Sequence, residues 1–537
     1  MNKRVLSLIL TCLMISAFLA ACGGAKTGSG GDIVGWVASP PETVDPQLNS
    51  SSDGGTYLAH LCQGLYRYKW DGSGVELGDA KSVDISDDYL TWTFHLRDDI
   101  QWSDGQPVTA GDYEYAWKRL CDPATGAPYA EDMGSFLLYG AEVSEGAVPV
   151  DQLGVKALDD QTLEVKLSGP CSFFDQVAAF ATFVPVRKDM IEANGDSWWT
   201  NPGTFISNGP FKMSAFSLDE KIVMVPNENY YDKSKVISSS VTFLFLADED
   251  TALSALRSGE IDIANNSPLP EVDKLKSDGM FHLTNLLGTY YIDFNLEKPI
   301  FQDVNVRKAL ALAIDRDYIC DTVNFGTRVP ANAFVGYGFQ DGDTSKDFRE
   351  VGGSFIGSDY EANKAAAVQA MADAGYPGGQ GFPVMEYLYN TSSGHKSIAE
   401  AIAHDWETVL GIKVTLVNQD WGVFLDTRRK GDYEIARDGW LADYNDPSTM
   451  LNLHISSSGN NNAKYNSAEF DRLMNEATQA SDRKTHISKL HDAEKVLMDD
   501  WAVCPIFFYK QSYMVSTDLK DWHETPLGYT LLHLAYK

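Results

Sequence analysis

Between Ala436 and Pro447 the chain reads Ala-Arg-Asp-Gly-Trp-Leu-Ala-Asp-Tyr-Asn-Asp-Pro. A cation (Arg437), a glycine (Gly439), a large aromatic (Trp440) and an acid (Asp443) lie close together there. The run begins strand-like at Tyr433 and Ile435 and ends in turn residues. A glycine beside a bulky aromatic lets a second backbone approach closely. An acid on the following loop can then pair with a positive group at one end of whatever docks. This is binding chemistry. Taken alone, the stretch also reads as an edge strand leading into a turn.

Signs of catalysis are missing from the sequence. It contains no Gly-x-Ser-x-Gly elbow, His-Glu-x-x-His pair or Walker A loop. His523-Glu524 lacks a second histidine. Asp341 to Asp347 mimics the start of a calcium loop. Lys346, however, takes the place of the turn glycine, and Gly352 that of the bidentate acid. The segment reads as a solvated loop. No enzyme activity, cofactor or metal is expected.

At 537 residues the chain exceeds one compact core, so two or three domains are expected. A formal net charge of -32 argues against a nucleic-acid partner and against adhesion to an anionic membrane through a basic face. Residues 1–21 read as a signal peptide: Lys3 and Arg4 start it, and an apolar run from Val5 to Ala20 follows. The sequence Leu19-Ala20-Ala21-Cys22 resembles a bacterial lipobox, which implies a lipidated Cys22. Residues 22–31 would then form the lipidated start and a flexible tether. Beyond Cys12 and Cys22, the cysteines at 62, 121, 171, 320 and 504 are widely spaced, with neither a disulfide framework nor a zinc pattern. Buried apolar roles suit them.

Positioning these residues takes helices interleaved with strands, an α/β class. Leu90 to Leu96 alternates, with Trp92, Phe94 and Leu96 facing inward. Thr109 and Asp112 are spaced as a capping box ahead of a helix carrying Tyr113, Ala116, Trp117 and Leu120 on one face. Ser358 and Glu361 suggest another box before an alanine-rich helix. Ser50 to Gly55 reads as a polar loop, and Tyr57 to Tyr66 as a helix ending near Gly64. Asp248 to Arg257 and Ser397 to Leu410 read as helices stopped by Gly259 and Gly411.

Several of these stretches carry a family resemblance. Arg97-Asp-Asp-Ile-Gln-Trp-Ser-Asp-Gly105 and Pro107-Val-Thr-Ala-Gly-Asp-Tyr-Glu-Tyr-Ala-Trp-Lys-Arg119 resemble the signature of family 5 extracellular solute-binding proteins, the peptide receptors of ABC importers. Asp122 to Tyr129, Asn208-Gly209-Pro210-Phe211, Phe301 to Leu310 and Arg437 to Asn445 extend the likeness in order along nearly all of the mature chain, toward the oligopeptide-binding branch. The resemblance implies a periplasmic-binding-protein-like fold of class II with an extra inserted domain and a ligand cleft between two hinged lobes. It implies a discontinuous domain I (32–62, 187–287 and 511–537), a domain II (63–186) and a domain III (288–510), with crossings near Gly288 and Lys510.

It also implies roles for individual residues. A receptor for many peptides must hold what all peptides share: the backbone, the amine and the carboxylate. Backbone capture is strand addition. Gly439, Trp440 and Leu441 would supply one ladder, and Ser50, Ser51 and Ser52 the other. Asp443 would take the ligand ammonium. Tyr129, Tyr291 and Trp421 would give hydroxyls and ring walls, and Asn265 a polar contact. Each added ligand residue moves the carboxylate by about 3.3 Å, so His395, Arg428 and Arg437 would serve different lengths. From its own surroundings, Thr427-Arg428-Arg429-Lys430, Arg428 reads as a solvated surface charge. The family's cysteine in this stretch is Leu441 here. The implied partners are short peptides, an ABC permease with its ATPases, and the membrane through Cys22, for a monomer outside the cytoplasm. The alternatives are the same fold holding a nickel complex, haem or an oligosaccharide and, more distantly, a peptidase.

Overall fold

A computed structural model of the chain describes residues 30–37, 41, 43–218, 220–246 and 248–537. The expected signal peptide and Cys22 lie outside the described residues. So does the tether up to residue 29.

Among the described residues an eleven-stranded mixed sheet forms the spine. At one end, Asp32–Trp36 pairs in parallel with Ser240–Leu244 and with Ile263–Asn265. Phe211–Ser217 and Lys221–Pro226 close that edge as an antiparallel pair. Helix Glu249–Ser258 connects two of these strands. Asp248 caps its start by accepting the Thr251 N–H, and Gly259 ends it in the left-handed conformation.

Two long antiparallel strands, Phe281–Phe294 and Val503–Val515, carry the sheet into its other half. Their register shifts between Asn285 and Thr289, around the glycine at 288. In the far half, Met385–Asn390, Val414–Gln419 and Ile435–Leu441 alternate with helices Ser393–Asp405 and Trp421–Lys430. Parallel strands need such crossovers. Ile435–Leu441 pairs along its whole length with Gly288–Phe294. On its opposite edge, Met385–Asn390 reaches only Ile435 and Ala436. The strand is therefore internal at its start and open-edged from Arg437 to Leu441. The edge strand expected from sequence is half right.

A separate four-stranded antiparallel sheet is ordered Ala80–Ile85, Thr91–Leu96, Thr162–Lys166, Val155–Asp159. Trp92, Phe94 and Leu96 point inward as their alternation predicts. Helix Ala110–Cys121 buries Tyr113, Ala116, Trp117 and Leu120, and Thr109 and Asp112 form the reciprocal cap. The Trp117 indole donates to the Phe183 carbonyl at 2.7 Å. Arg119 ties this helix to the buried Asp45 at 2.6 Å, and Trp198 donates to the same carboxylate at 2.9 Å. Removing one member of such a buried pair costs about 3–5 kcal/mol.

Some local expectations shift. The helix expected from Tyr57 runs from Ser52 to Leu61 instead, because Ser51 accepts the Gly54 N–H and starts it early. The second expected capping box is replaced by Asp359, which accepts the Ala362 N–H. The calcium-like loop is not simply solvated: Asp341 accepts from His491 at 2.8 Å, and Asp347 caps helix Phe348–Gly352. Among the described residues no group of histidine, cysteine and acidic side chains is arranged to hold a metal. The five described cysteines are buried and free.

Candidate ligand-binding site

Successive strand residues leave the strand in opposite directions, so Arg437 and Asp438 start from different faces. Arg437 is buried, and its Nε donates to Asn390 Oδ1 at 2.6 Å. Its guanidinium lies 5.7, 5.5 and 5.4 Å from the ring centres of Tyr290, Trp421 and Phe424. Among the described residues it forms no ion pair. Ring faces attract a cation by about 0.5–2 kcal/mol without neutralising it, so this charge stays available to an anion.

Asp438 points the other way, into a buried ion pair with Arg428. Burial works to raise the Asp438 carboxyl, but the Arg428 guanidinium overrides it and holds Asp438 below the ordinary range. Burial and the charge on Asp438 push the adjacent Asp293 well up. Burial and that neighbouring charge thus favour the neutral form of Asp293. Asn462 adds a donor at 3.1 Å, and Asp438 Oδ1 accepts the Gly439 N–H at 2.7 Å. This corrects both readings of Arg428. It is neither a solvated charge nor a free anchor, because its guanidinium is committed to Asp438.

Gly439 is needed for a reason not visible in the sequence. A Cβ there would lie 2.4 Å from the Tyr509 hydroxyl. The close neighbour is thus a tyrosine from the long strand Val503–Val515.

Asp443 follows the strand. Tyr129 donates to its Oδ1 at 3.2 Å, and its backbone N–H donates to Thr449 Oγ1 at 3.2 Å. No cation pairs with it among the described residues. Burial, aided by the charge on Asp132, raises its carboxyl to about 7. Asp443 and Trp440 line a cavity of about 400 Å³ that is also walled by Met133, Phe136, Phe173 and Tyr444. Together, Arg437 and Asp443 leave an uncompensated cation and an uncompensated acid at the two ends of one open strand edge.

A model of the bacterial extracellular solute-binding proteins, family 5, matches residues 75–462. The chain belongs to family 5. The periplasmic oligopeptide-binding protein OppA of Escherichia coli is 38% identical over 492 residues, covering 90% of this chain and 87% of that protein. OppA of Bacillus subtilis is 33% identical over 535 residues, covering 96% of each chain. The solved structure of Haemophilus influenzae OppA in complex with RPPGFSPFR superposes with a TM-score of 0.76 at 31% identity, covering 95% of this chain and 99% of that one. The fold is the class II periplasmic-binding-protein architecture of family 5.

Other residues singled out by the family 5 resemblance sit less simply. His395 lies 3.3 Å from the Tyr290 hydroxyl, and burial together with the charge on Arg437 lowers its imidazole to about 4. At that value the imidazole is uncharged at neutral pH, so it is no standing cation. Trp421 is the first residue of its helix and is 54% exposed, with its ring against Arg437. Tyr291 is not a wall of the site: it is buried against Phe334 and His454 at 5.1 and 6.1 Å. Asn265 ends a strand, and its Nδ2 donates to Asp53 at 3.4 Å. Ser50 precedes the helix, Ser51 caps it and Ser52 is its first residue. The polar loop expected there is a helix start. Leu441 remains exposed on the open edge.

Sequence reasoning missed Asn390, Tyr290, Phe424, Thr449 and Tyr509. One signal was available in family 5 as in other open α/β sheets, where ligands bind beyond the carboxyl ends of strands. Asn390 is the last residue of its strand. Tyr509 carries no such mark, because only the pairing of distant strands brings it to Gly439.

Proposed function

We propose that this chain is an extracytoplasmic receptor that binds short peptides in extended form, by backbone and both termini, and delivers them to an ABC permease. The observation that carries this is the open edge Arg437–Leu441, with the unpaired Arg437 at one end and the unpaired Asp443 just beyond the other. A backbone edge suits any peptide main chain. Asp443 would receive the ammonium and Arg437 the carboxylate. His395 would donate a hydrogen bond or take up a proton when a carboxylate arrives. The names of the relatives, oligopeptide-binding proteins of two bacteria, support the choice of ligand.

In this reading residues 32–62, 187–287 and 511–537 form one domain, 63–186 a second and 288–510 a third. The two long strands with their register shift provide the hinge. The protein acts as a monomer without catalysis or cofactor, tethered outside the cell membrane by lipid on Cys22. Among the described residues no helix is long and apolar enough to cross a membrane.

Native mass spectrometry after incubation with a peptide mixture tests the reading. Retained, uncleaved short peptides are expected. Cleaved products would indicate a peptidase. Retention of a metal complex, haem or sugar, with no peptide, would overturn the choice of ligand.

A further inference from the structure

The cavity beside Asp443 has an uneven composition. Its buried wall includes Met133, and its exposed side carries Glu131 and Asp132. Neither acid forms an ion pair or a side-chain hydrogen bond among the described residues. His486, which also lines the cavity, is committed to Asp446 at 2.9 Å. The Trp440 indole N–H is buried and meets no acceptor. The space therefore holds uncompensated negative charge between apolar walls. It opens next to the carboxylate to which the peptide amine is assigned.

Chain geometry limits what enters. The α-carbon of the first ligand residue is one bond, about 1.5 Å, from the ammonium. With the amine on Asp443, the first side chain starts at the mouth of this cavity. A lysine or arginine side chain has an apolar stem and a charged head, and such chains lay the stem along apolar surface while the head seeks charge or water.

We propose that Glu131 and Asp132 make this cavity a subsite selective for a basic side chain on the first residue of the peptide. This rests on the peptide reading above. Phe136, Phe173 and Tyr444 flank the stem, and the two acids meet the head. Acidic first residues are rejected by the same charges.

Calorimetry on matched tripeptides tests this, using Lys-Ala-Ala, norleucine-Ala-Ala, Ala-Ala-Ala and Glu-Ala-Ala. Partly exposed charge pairs contribute modestly, so two together give the lysine peptide about a tenfold advantage over its norleucine analogue. That advantage shrinks at high salt. It disappears in the double variant Glu131→Gln with Asp132→Asn, in which the lysine and norleucine peptides bind alike. Equal affinity for the lysine and norleucine peptides, or a preference that survives in the double variant, would overturn the subsite and leave the peptide reading intact. Binding of none of the four would overturn the peptide reading itself.

Discussion

The Tyr129 hydroxyl donates to the Asp443 carboxylate at 3.2 Å across 314 residues of chain. Tyr129 comes from the part of the chain that builds the small sheet, and Asp443 from the loop after the open-edged strand. The contact joins these two parts of the chain and gives Asp443 a hydroxyl but no cation. A buried carboxylate left in that state resists ionisation. Its value of about 7 follows from that burial, with the charge on Asp132 adding to it.

Asp443→Asn should separate binding from stability. The folded carboxyl is raised above its unfolded value, so the stability it contributes is lost as pH rises from about 4 to about 7. Removing the charge should raise the empty protein's Tm by about 2 °C at pH 8, the order expected for a kcal-sized change in a large domain. No gain is expected at pH 4. Peptide affinity should fall about a hundredfold, as when one member of a desolvated pair is removed. N-acetylating the peptide should cost the wild type a similar amount, and the two losses should not add. Additive losses would place the amine elsewhere.

Peptide binding should weaken as pH falls below about 7. In the empty protein Asp443 holds a proton below that value, and an ammonium ligand needs the carboxylate. Binding therefore releases a proton, and affinity drops by up to about tenfold per pH unit. Calorimetry at pH 6 in buffers of different ionisation heat should show the release in the wild type and none in Asp443→Asn.

Arg437 and Arg428 should behave as opposites. Arg437→Gln should fold normally and lose about tenfold to a hundredfold in affinity for a peptide with a free carboxylate, the size of a hydrogen bond to a charged group. A C-terminally amidated peptide should not notice the change. Arg428→Met should lower stability by about 3–5 kcal/mol, because Asp438 is left buried and unpaired. Denaturant melts and binding isotherms on both variants check the pair. A stable Arg428→Met with lost affinity would return that arginine to the ligand.

Gly439→Ala should be destabilising because its Cβ meets the Tyr509 hydroxyl. Overpacking of this kind costs about 1–3 kcal/mol. Adding Tyr509→Phe removes the offending oxygen and should recover much of the loss. If the double variant is no better than the single one, the glycine serves something other than Tyr509.

Cys22→Ala should leave the expressed protein without lipid. The multiply acylated cysteine of a lipoprotein anchors far better than a single chain, so the variant should partition into the aqueous phase of a detergent separation. A wild type whose mature N-terminus is not Cys22 would defeat this expectation.

Much of the architecture was written locally. The alternation at Thr91–Leu96, the reciprocal cap of Thr109 and Asp112, and the helix stops at Gly259 and Gly411 each depend on neighbours a few residues away. Period and cap chemistry are short-range, so the sequence alone determined them, along with the α/β class and the motifs that mark the family. The helix start at Ser51 reads as a loop in the sequence because Ser50–Gly55 is polar and glycine-containing, which is also the composition of a capped first turn.

The site is different. Arg428 and Arg437 stand nine positions apart in one stretch, and no local feature says which is free. Tertiary structure decided it. Asp438 claims one guanidinium, while Asn390 and three aromatic rings hold the other without neutralising it, and Phe424 lies against both. The same holds for Tyr291, buried in the core, and for Gly439, whose constraint comes from Tyr509. Charge compensation and close approach depend on which groups lie within a few ångströms, and those groups come from strands far apart in sequence.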